Sequence, residues 1–213
     1  NPHGAMFIIP AFFFFLILYM QPPQIKYLII HVLLAGVLIQ FQMAIGIPFF
    51  ILSFLYGVFI AIKSKRKKHL VAYLLIFATL ANFIIFDLRH EFLLSKLTFH
   101  FVTSSSRDEL NIVSMFYQRI KFMTTGVEFL RADPGYRNLI IFLIFSIFLF
   151  FQIKVNKYKA IYFSFIYFYV GYLILSNLNA GGLLYFYLFP LFPFVFLIFS
   201  SFVTSRYSKV FII

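Results

Sequence analysis

The sequence contains no cysteine and no tryptophan among its 213 residues, and it has only six carboxylates against 18 lysines and arginines. The absence of cysteine excludes disulfides, thiolate metal sites and cysteine nucleophiles. Charge is scarce as well: 11% of the residues are charged and 63% are hydrophobic, with a mean hydropathy of +0.97. A soluble domain of this length has too small an interior to bury so much apolar surface, so we expect a polytopic membrane protein.

The net charge of +12 would favour a nucleic acid partner if the protein were soluble. In membrane proteins, lysine and arginine collect in the cytoplasmic loops, and this rule accounts for most of the excess here. We therefore expect membrane lipids, and no nucleic acid, as partners of the chain.

Seven apolar stretches are predicted to cross the membrane, since a span needs about 20 residues. The glutamine and two prolines at 21–23 end the first stretch, because proline cannot continue a helix. The apolar region 26–62 is too long for one crossing, so a tight hairpin is expected within 40–48. The predicted spans are 5–20, 26–42, 46–62, 70–86, 139–152, 160–176 and 183–203.

One long polar stretch, residues 87–137, holds all six carboxylates and seven of the 18 lysines and arginines. If the spans alternate, the other eleven cations fall in loops on the opposite side, with no acid among them. The positive-inside rule puts those loops and the C-terminus in the cytoplasm and residues 87–137 outside it. The chain then divides into helices 1–86, an extracytoplasmic segment 87–137 and helices 138–213 of a multi-pass protein of the cell membrane.

Within the polar segment, residues 110–122 repeat apolar side chains at helical spacing, with polar side chains elsewhere around the helix. This pattern predicts an amphipathic helix along the membrane surface. The predicted fold is thus all-α, with about seven membrane-spanning helices and one outer polar segment that contains an interfacial helix.

Several stretches resemble one protein family when they are taken together and in order. Asn1-Pro2-His3 precedes an apolar span, and residues 36–42 are similar to a Gly-(apolar)-Gln-Phe-His stretch, with Gln42 where histidine is commoner. The strongest likeness is that of residues 86–93 to a Phe-Glu-Leu-Arg-His-Gly-Phe-Leu segment at the outer end of a span. Residues 185–193 resemble, more weakly, a His-Tyr-Leu pattern followed by proline. These stretches resemble the family 39-type membrane glycosyltransferases of the GT-C fold, relatives of protein O-mannosyltransferases and of the aminoarabinose transferase of lipid A.

The resemblance implies an enzyme that transfers a sugar, with inversion, from a polyprenyl-phosphate donor to a glycan, lipid or protein acceptor on the extracytoplasmic face. In such enzymes an aspartate of the first outer loop is the expected general base. The chain opens on Asn1-Pro2, with neither a methionine nor a signal peptide. We therefore expect a C-terminal portion whose catalytic base lies upstream. The catalytic residue is unknown, and the need for a divalent metal stays open.

Arg89 and His90 directly follow the fourth predicted span and are the candidates for binding the donor phosphate. A guanidinium contacts phosphate oxygens through two prongs, and fixed cations stabilise a leaving phosphate where water is scarce. The alternative is that Arg89 reaches lipid headgroups or pairs with Asp87 or Glu91.

Two further groups of candidates rest on position and residue type. The candidates for binding the acceptor are Arg119, Lys121 and Arg131, although cations beside an amphipathic helix bind anionic lipid equally well. The sugar pocket is expected to use two glutamines near the hairpin and two tyrosines of the last span, namely Gln40, Gln42, Tyr185 and Tyr187. Helix pairing through the glutamines and an aromatic belt of tyrosines are the alternatives. No residue spacing indicates a metal site, and His31 is expected to be structural.

Two other classes of function remain open from the sequence. A flippase or transporter of lipid-linked glycans would be expected to carry charges inside the membrane, which the apolar stretches lack. A non-catalytic membrane scaffold is the other alternative. An upstream outer loop with an Asp-Glu pair would favour the enzyme over both.

Overall fold

The computed structural model describes residues 2–104 and 159–176. Every regular element in those two ranges is a helix, and no strand occurs in them. The elements are α1 (Pro2–Met20), α2 (Ile25–Phe41), α3 (Met43–Lys63), a 3-10 helix (Lys67–Leu74), α4 (Leu75–Thr79), α5 (Ala81–Arg89), α6 (Leu93–Ser104) and α7 (Lys159–Ser176). The all-α class predicted from the sequence is therefore confirmed for this part of the chain.

The ends of the first three helices follow the sequence signals. α1 ends at Met20, directly before the proline pair, and α2 and α3 are separated by Gln42 alone. The predicted hairpin is confirmed, but α3 already begins at Met43 and runs on through Pro48. Proline disturbs α3 little at this place because it lies in the second helical turn, where one hydrogen bond of the ladder is lost.

The α1, α2, α3 and α7 helices pack around a common aromatic core. The ring of Phe12 lies 5.9 Å from that of Phe49 and 5.8 Å from that of Phe168, measured between centroids. Phe49 in turn lies 5.7 Å from Tyr172, and all four side chains are fully buried. Aromatic pairs attract at these separations. Such close packing holds helices together where lipid, rather than water, surrounds them.

Glycines allow several of the helices to approach one another closely. A Cβ atom at Gly46 of α3 would come 2.5 Å from the Cα of Ile39 in α2. Gly36 of α2 lies in the same way against Thr79 of α4. Small residues at such crossings are typical of helix packing in membranes.

The helical bundle has two ends, named here after the residue that marks each. At the Arg66 end, Arg66 Nη1 donates a hydrogen bond of 2.8 Å to the carbonyl oxygen of Pro23 and so joins two loops. At the Gln42 end, α2 turns into α3, and the side-chain amide of Gln40 donates a hydrogen bond to the carbonyl oxygen of Thr79.

Charges are distributed unequally between these two ends. The loops and helix termini at the Arg66 end carry cations and no described acid: Lys26, Lys63, Lys65, Arg66, Lys67 and Lys68. The described acids, Asp87 and Glu91, follow α4 past the Gln42 end. This relative placement agrees with the alternation of charge predicted from the sequence. Which end faces the cytoplasm stays a prediction.

The fourth predicted span, residues 70–86, is divided into three helical pieces. It starts within the 3-10 helix, continues as α4 and breaks at Leu80, after which α5 is bent away by 52°. A 3-10 helix rises about 2.0 Å per residue, so the thirteen residues Lys67–Thr79 extend about 23 Å, close to the length of α2. The chain has therefore reached the Gln42 end by Thr79, and α5 runs beyond that end.

One described helix, Met43–Lys63, is long and apolar enough to cross a membrane, with 21 residues and a mean hydropathy of 2.4. The bent pair would make a second span, and α1, α2 and α7 contain shorter apolar helices of 10–17 residues. Seven spans thus stay a prediction. The predicted spans 139–152 and 183–203 and the predicted interfacial helix 110–122 lie outside the described residues.

The polar segment begins with a helix that is not predicted from the sequence. α6 occupies Leu93–Ser104, whereas the first helix predicted in this segment was 110–122. Its apolar residues Leu94 and Leu97 lie about 60° apart around the helix axis, and Lys96 lies about 100° or more from each of them. The segment 87–137 is therefore helical from near its start.

Candidate functional site

Asp87, near the end of α5, is hydrogen-bonded to the start of α6. Its Oδ1 atom accepts hydrogen bonds from the backbone N–H of Leu94 at 2.7 Å and of Ser95 at 3.3 Å, and its Oδ2 atom accepts one from the Ser95 hydroxyl at 2.5 Å. The first amides of a helix have no acceptor within it, so this carboxylate caps α6. The Ser95 hydroxyl, together with the two amides, holds the pKa of Asp87 below its usual range. Asp87 is therefore ionised at neutral pH and fixes α6 against α5.

The turn between α5 and α6 has an unusual backbone. The Phe92 N–H donates a hydrogen bond of 2.8 Å to the Asp87 carbonyl, while Glu91 and Phe92 have φ angles of 53° and 62°. Residues other than glycine rarely adopt this left-handed region, and two in succession are strained. The family segment that residues 86–93 resemble has glycine at the position of Glu91, where this backbone favours it. The capping by Asp87 helps to keep the turn in this conformation.

Arg89 and His90 lie at the start of this turn and are exposed. The Nδ1–H group of His90 donates a hydrogen bond of 2.7 Å to the Phe86 carbonyl, and the His90 ring stacks on the Phe86 ring with centroids 4.0 Å apart. Because a carbonyl only accepts hydrogen bonds, this contact assigns the Nδ1–H form to neutral His90 and leaves Nε2 for a ligand. In the described part of the chain Arg89 forms no ion pair with Asp87, whose carboxylate is engaged by α6. The interpretation of Arg89 as the partner of Asp87 is therefore not supported.

Gln40 links two helices. Its amide donates to the carbonyl of Thr79, the last residue of α4, where the helical break leaves carbonyls without an intrahelical donor. The neighbouring Gly36 packs against the same threonine. These contacts favour helix pairing as the role of Gln40 over the lining of a sugar pocket.

Gln42 is the only non-helical residue between α2 and α3. Its backbone carbonyl accepts hydrogen bonds from the N–H groups of Ile45 at 3.2 Å and of Gly46 at 2.8 Å. The residue is 7% exposed, and within the described part of the chain its Oε1 atom has no hydrogen-bond partner. A buried carbonyl oxygen without a donor is costly, so Gln42 is the better of the two glutamines for binding a hydroxyl group of a ligand.

A buried polar network lies in the middle of the bundle. His31 is fully buried: its Nδ1–H donates to the Phe12 carbonyl at 2.8 Å, and its Nε2 accepts from the Ser53 hydroxyl at 2.6 Å. The Tyr73 hydroxyl donates to the Ser53 carbonyl at 2.7 Å. These bonds connect α1, α2, α3 and the 3-10 helix, which agrees with the structural role expected of His31. No local pattern in the sequence indicates the partners of His31, because they are 19 and 22 residues away.

The predicted site residues fall into separate groups. Gln40 and Gln42 lie at the Gln42 end, and Arg89 and His90 lie beyond it, with no hydrogen bond between the two pairs among the described residues. The other candidates are outside the described residues: Arg119, Lys121, Arg131, Tyr185 and Tyr187. Within residues 2–104 and 159–176 no three His, Asp or Glu side chains are grouped so as to hold a metal ion.

Sequence reasoning missed the roles of Asp87 and Ser95. A helix cap is normally sought just before the helix, whereas Asp87 reaches α6 from the preceding helix across a turn. The nearest signal in the sequence is the serine at the third position of α6, which is a poor former of helix interiors. Comparison with protein-family models, with curated proteins and with solved structures finds no match for this chain.

Proposed function

We propose that this chain is part of an integral membrane glycosyltransferase that moves a sugar from a polyprenyl-phosphate donor to an acceptor on the extracytoplasmic face, with inversion. The observation that carries the proposal is the exposed pair Arg89 and His90, held on a strained and capped turn beyond the Gln42 end. The described cations other than Arg89 and Lys96 lie away from this turn. A cation fixed in this way suits a ligand that carries phosphate charge.

The proposed reaction requires positive charge near the phosphate oxygen from which the sugar departs. As the bond between the anomeric carbon and the phosphate oxygen breaks, that oxygen gains negative charge. In the proposed reaction the Arg89 guanidinium contacts two phosphate oxygens, and His90 in its doubly protonated form donates a hydrogen bond from Nε2–H to the same group. Capping of α6 by Asp87 limits the movement of both residues, which is what electrostatic stabilisation of a leaving group requires.

The proposal keeps the other predicted residues in the roles that their types suggest. Gln42 binds a sugar hydroxyl through its buried Oε1 atom. Tyr185 and Tyr187 complete the sugar pocket, and Arg119, Lys121 and Arg131 bind the acceptor. In this arrangement the Arg66 end, with its cations, faces the cytoplasm.

The test uses the protein with its natural flanking sequence, in membranes, and a photoactivatable polyprenyl-phosphate sugar with a radioactive label. We expect labelling of the protein and transfer of the label to an endogenous acceptor. Arg89→Ala should reduce transfer roughly 100-fold, as removal of a transition-state donor does elsewhere, and Arg89→Lys should restore part of it. Lys68→Ala removes an exposed cation at the opposite end and serves as the matched control.

Equal photolabelling of the Arg89→Ala and Lys68→Ala proteins would remove Arg89 from the donor site. If an introduced cysteine in the turn reacts only with reagents on the cytoplasmic side, the donor site is on the wrong side of the membrane and the proposal fails. Residues 1–213 contain no cysteine, so this stretch adds no background to the labelling.

A further inference from the structure

The α5 and α6 helices leave most of their surface uncovered. None of the residues of α5 is buried, and Ile85 and Leu88 are 50% and 60% exposed. On α6, Leu93 and Leu97 are 44% and 58% exposed. Exposed apolar side chains on two successive helices form a surface that water disfavours and that needs a partner.

This surface continues the apolar outer face of the bundle. Leu74 and Phe77, on the helical pieces that lead to the break, are 62% and 60% exposed. The next exposed apolar residues along the chain are Ile84 and Ile85, just past the 52° bend. The apolar outer face therefore passes from α4 onto α5 with one exposed polar side chain, Asn82, at the bend.

The polar groups of this part of the chain are suited to a membrane boundary. Lys96 lies about 100° around the axis of α6 from Leu97, so Leu97 can face lipid while this cation stays at the boundary. Arg89 and Lys96 have long apolar stems that let their charges reach headgroups. Of the two acids here, Asp87 near the end of α5 is engaged in capping α6, and Glu91 lies exposed in the turn between the helices.

We propose that α5, α6 and the turn between them lie in the boundary region of the membrane leaflet at the Gln42 end, with Ile85, Leu88, Leu93 and Leu97 in lipid. The partner of this surface is the leaflet itself, because the surface is continuous with the apolar face of the bundle and carries cations at its edge. The turn with Arg89 and His90 is then held at the depth of the lipid phosphates. This inference rests on the membrane placement contained in the proposed function, but not on sugar transfer.

Single tryptophans test the inference, since the natural chain has none and each variant carries one fluorophore. Three variants are reconstituted in phosphatidylcholine vesicles: Leu55→Trp on the exposed face of α3, Leu97→Trp on the apolar side of α6, and Lys96→Trp on its polar side. Leu88→Trp is a second reporter, on α5, in case Leu97→Trp does not fold. Quenching is measured with lipids brominated near the headgroup, with lipids brominated deep in the chain, and with aqueous iodide.

We expect bromines near the headgroup to quench Leu97→Trp and Leu88→Trp at least two-fold more than deep bromines do. Deep bromines should quench Leu55→Trp more, and iodide should quench Lys96→Trp more than Leu97→Trp. If Leu55→Trp responds to bromines but Leu97→Trp and Leu88→Trp respond to iodide alone, the inference is wrong and the membrane placement stands. If iodide and bromines both fail to quench Leu97→Trp and Leu88→Trp, protein covers the surface and the inference is also wrong. If bromines quench none of the variants, the membrane placement and the proposed function fail together.

Discussion

The Tyr73 hydroxyl occupies the space in which a side chain at Gly57 would lie. From there it donates a hydrogen bond of 2.7 Å to the carbonyl oxygen of Ser53, on the preceding turn of α3. The absence of a side chain at Gly57 thus leaves room for the hydroxyl oxygen of Tyr73. The contact joins the 3-10 helix to α3.

Gly57→Ala is expected to destabilise the protein by about 1–3 kcal/mol, because the added methyl group overlaps the Tyr73 hydroxyl. Tyr73→Phe alone should cost about 1 kcal/mol through loss of the bond to Ser53. The double variant should lose less free energy of unfolding than the two single variants lose together, because the phenylalanine leaves room for the methyl group. Unfolding in mixed micelles with increasing dodecyl sulfate measures all three, and strict additivity would show that no contact exists.

His31→Ala is expected to lower the free energy of unfolding by about 3 kcal/mol, because it leaves a cavity in the core and removes the 2.6 Å hydrogen bond of the Ser53 hydroxyl, whose remaining contact is the Tyr73 hydroxyl at 3.2 Å. Ser53→Ala should cost about 1 kcal/mol. The loss of free energy of unfolding in the double variant should be about 1 kcal/mol smaller than the sum of the two single losses, because both substitutions remove the same hydrogen bond. Ser64→Ala, at the end of α3, is the control with a hydrogen bond inside its own helix. A double variant that equals the sum would contradict the bond between His31 and Ser53.

Asp87→Asn is expected to loosen the start of α6, because it removes the charge that accepts three hydrogen bonds there. Amide hydrogen exchange at Leu94 and Ser95 should become roughly five-fold faster, the usual size of a lost cap. Glu91→Gln makes the same change of charge in the turn without touching these amides and should leave their exchange unchanged. Equal exchange in the two variants would mean that Asp87 does not cap α6.

The capping by Asp87 should also depend on pH with a definite sign. The pKa of Asp87 is lower in the folded protein than its ordinary value of 3.8, so the native state binds this proton less readily than the unfolded state does. The contribution is complete above the ordinary value and is lost as the pH falls through the lower, folded value. Protection of the Leu94 amide, corrected for intrinsic exchange, should therefore differ between the natural protein and Asp87→Asn at pH 6 and converge in strong acid. A difference that persists in strong acid would contradict this assignment.

The sequence predicted those helix boundaries that local chemistry determines. The prolines at 22 and 23 end α1, and the polar residues around Gln42 separate α2 from α3. The span 160–176 corresponds to α7 within one residue. In each case a polar or proline residue interrupts an otherwise apolar stretch, so the signal lies where the boundary lies.

The features that sequence reasoning missed depend on residues distant in the chain. Residues 70–86 are apolar throughout, and nothing in them predicts that Tyr73 will bond to Ser53 or that Gln40 will hold Thr79 at the break. The α6 helix was not predicted from the sequence, because the spacing of apolar residues is more regular in 110–122 than in 93–104. The sequence offers Asp87 only as one alternative partner of Arg89, because a cap that reaches across a turn leaves no fixed spacing in the sequence.

With Gln42 alone between them, α2 and α3 have no slack that would let them enter a bilayer one after the other. Gly46 lies against the backbone of Ile39, so the two arms are already in contact beside the junction. During biogenesis they are expected to insert as one closed loop. In the membrane protein proposed here, the joint apolar content of both arms is expected to carry the polar tip across the bilayer in a single step.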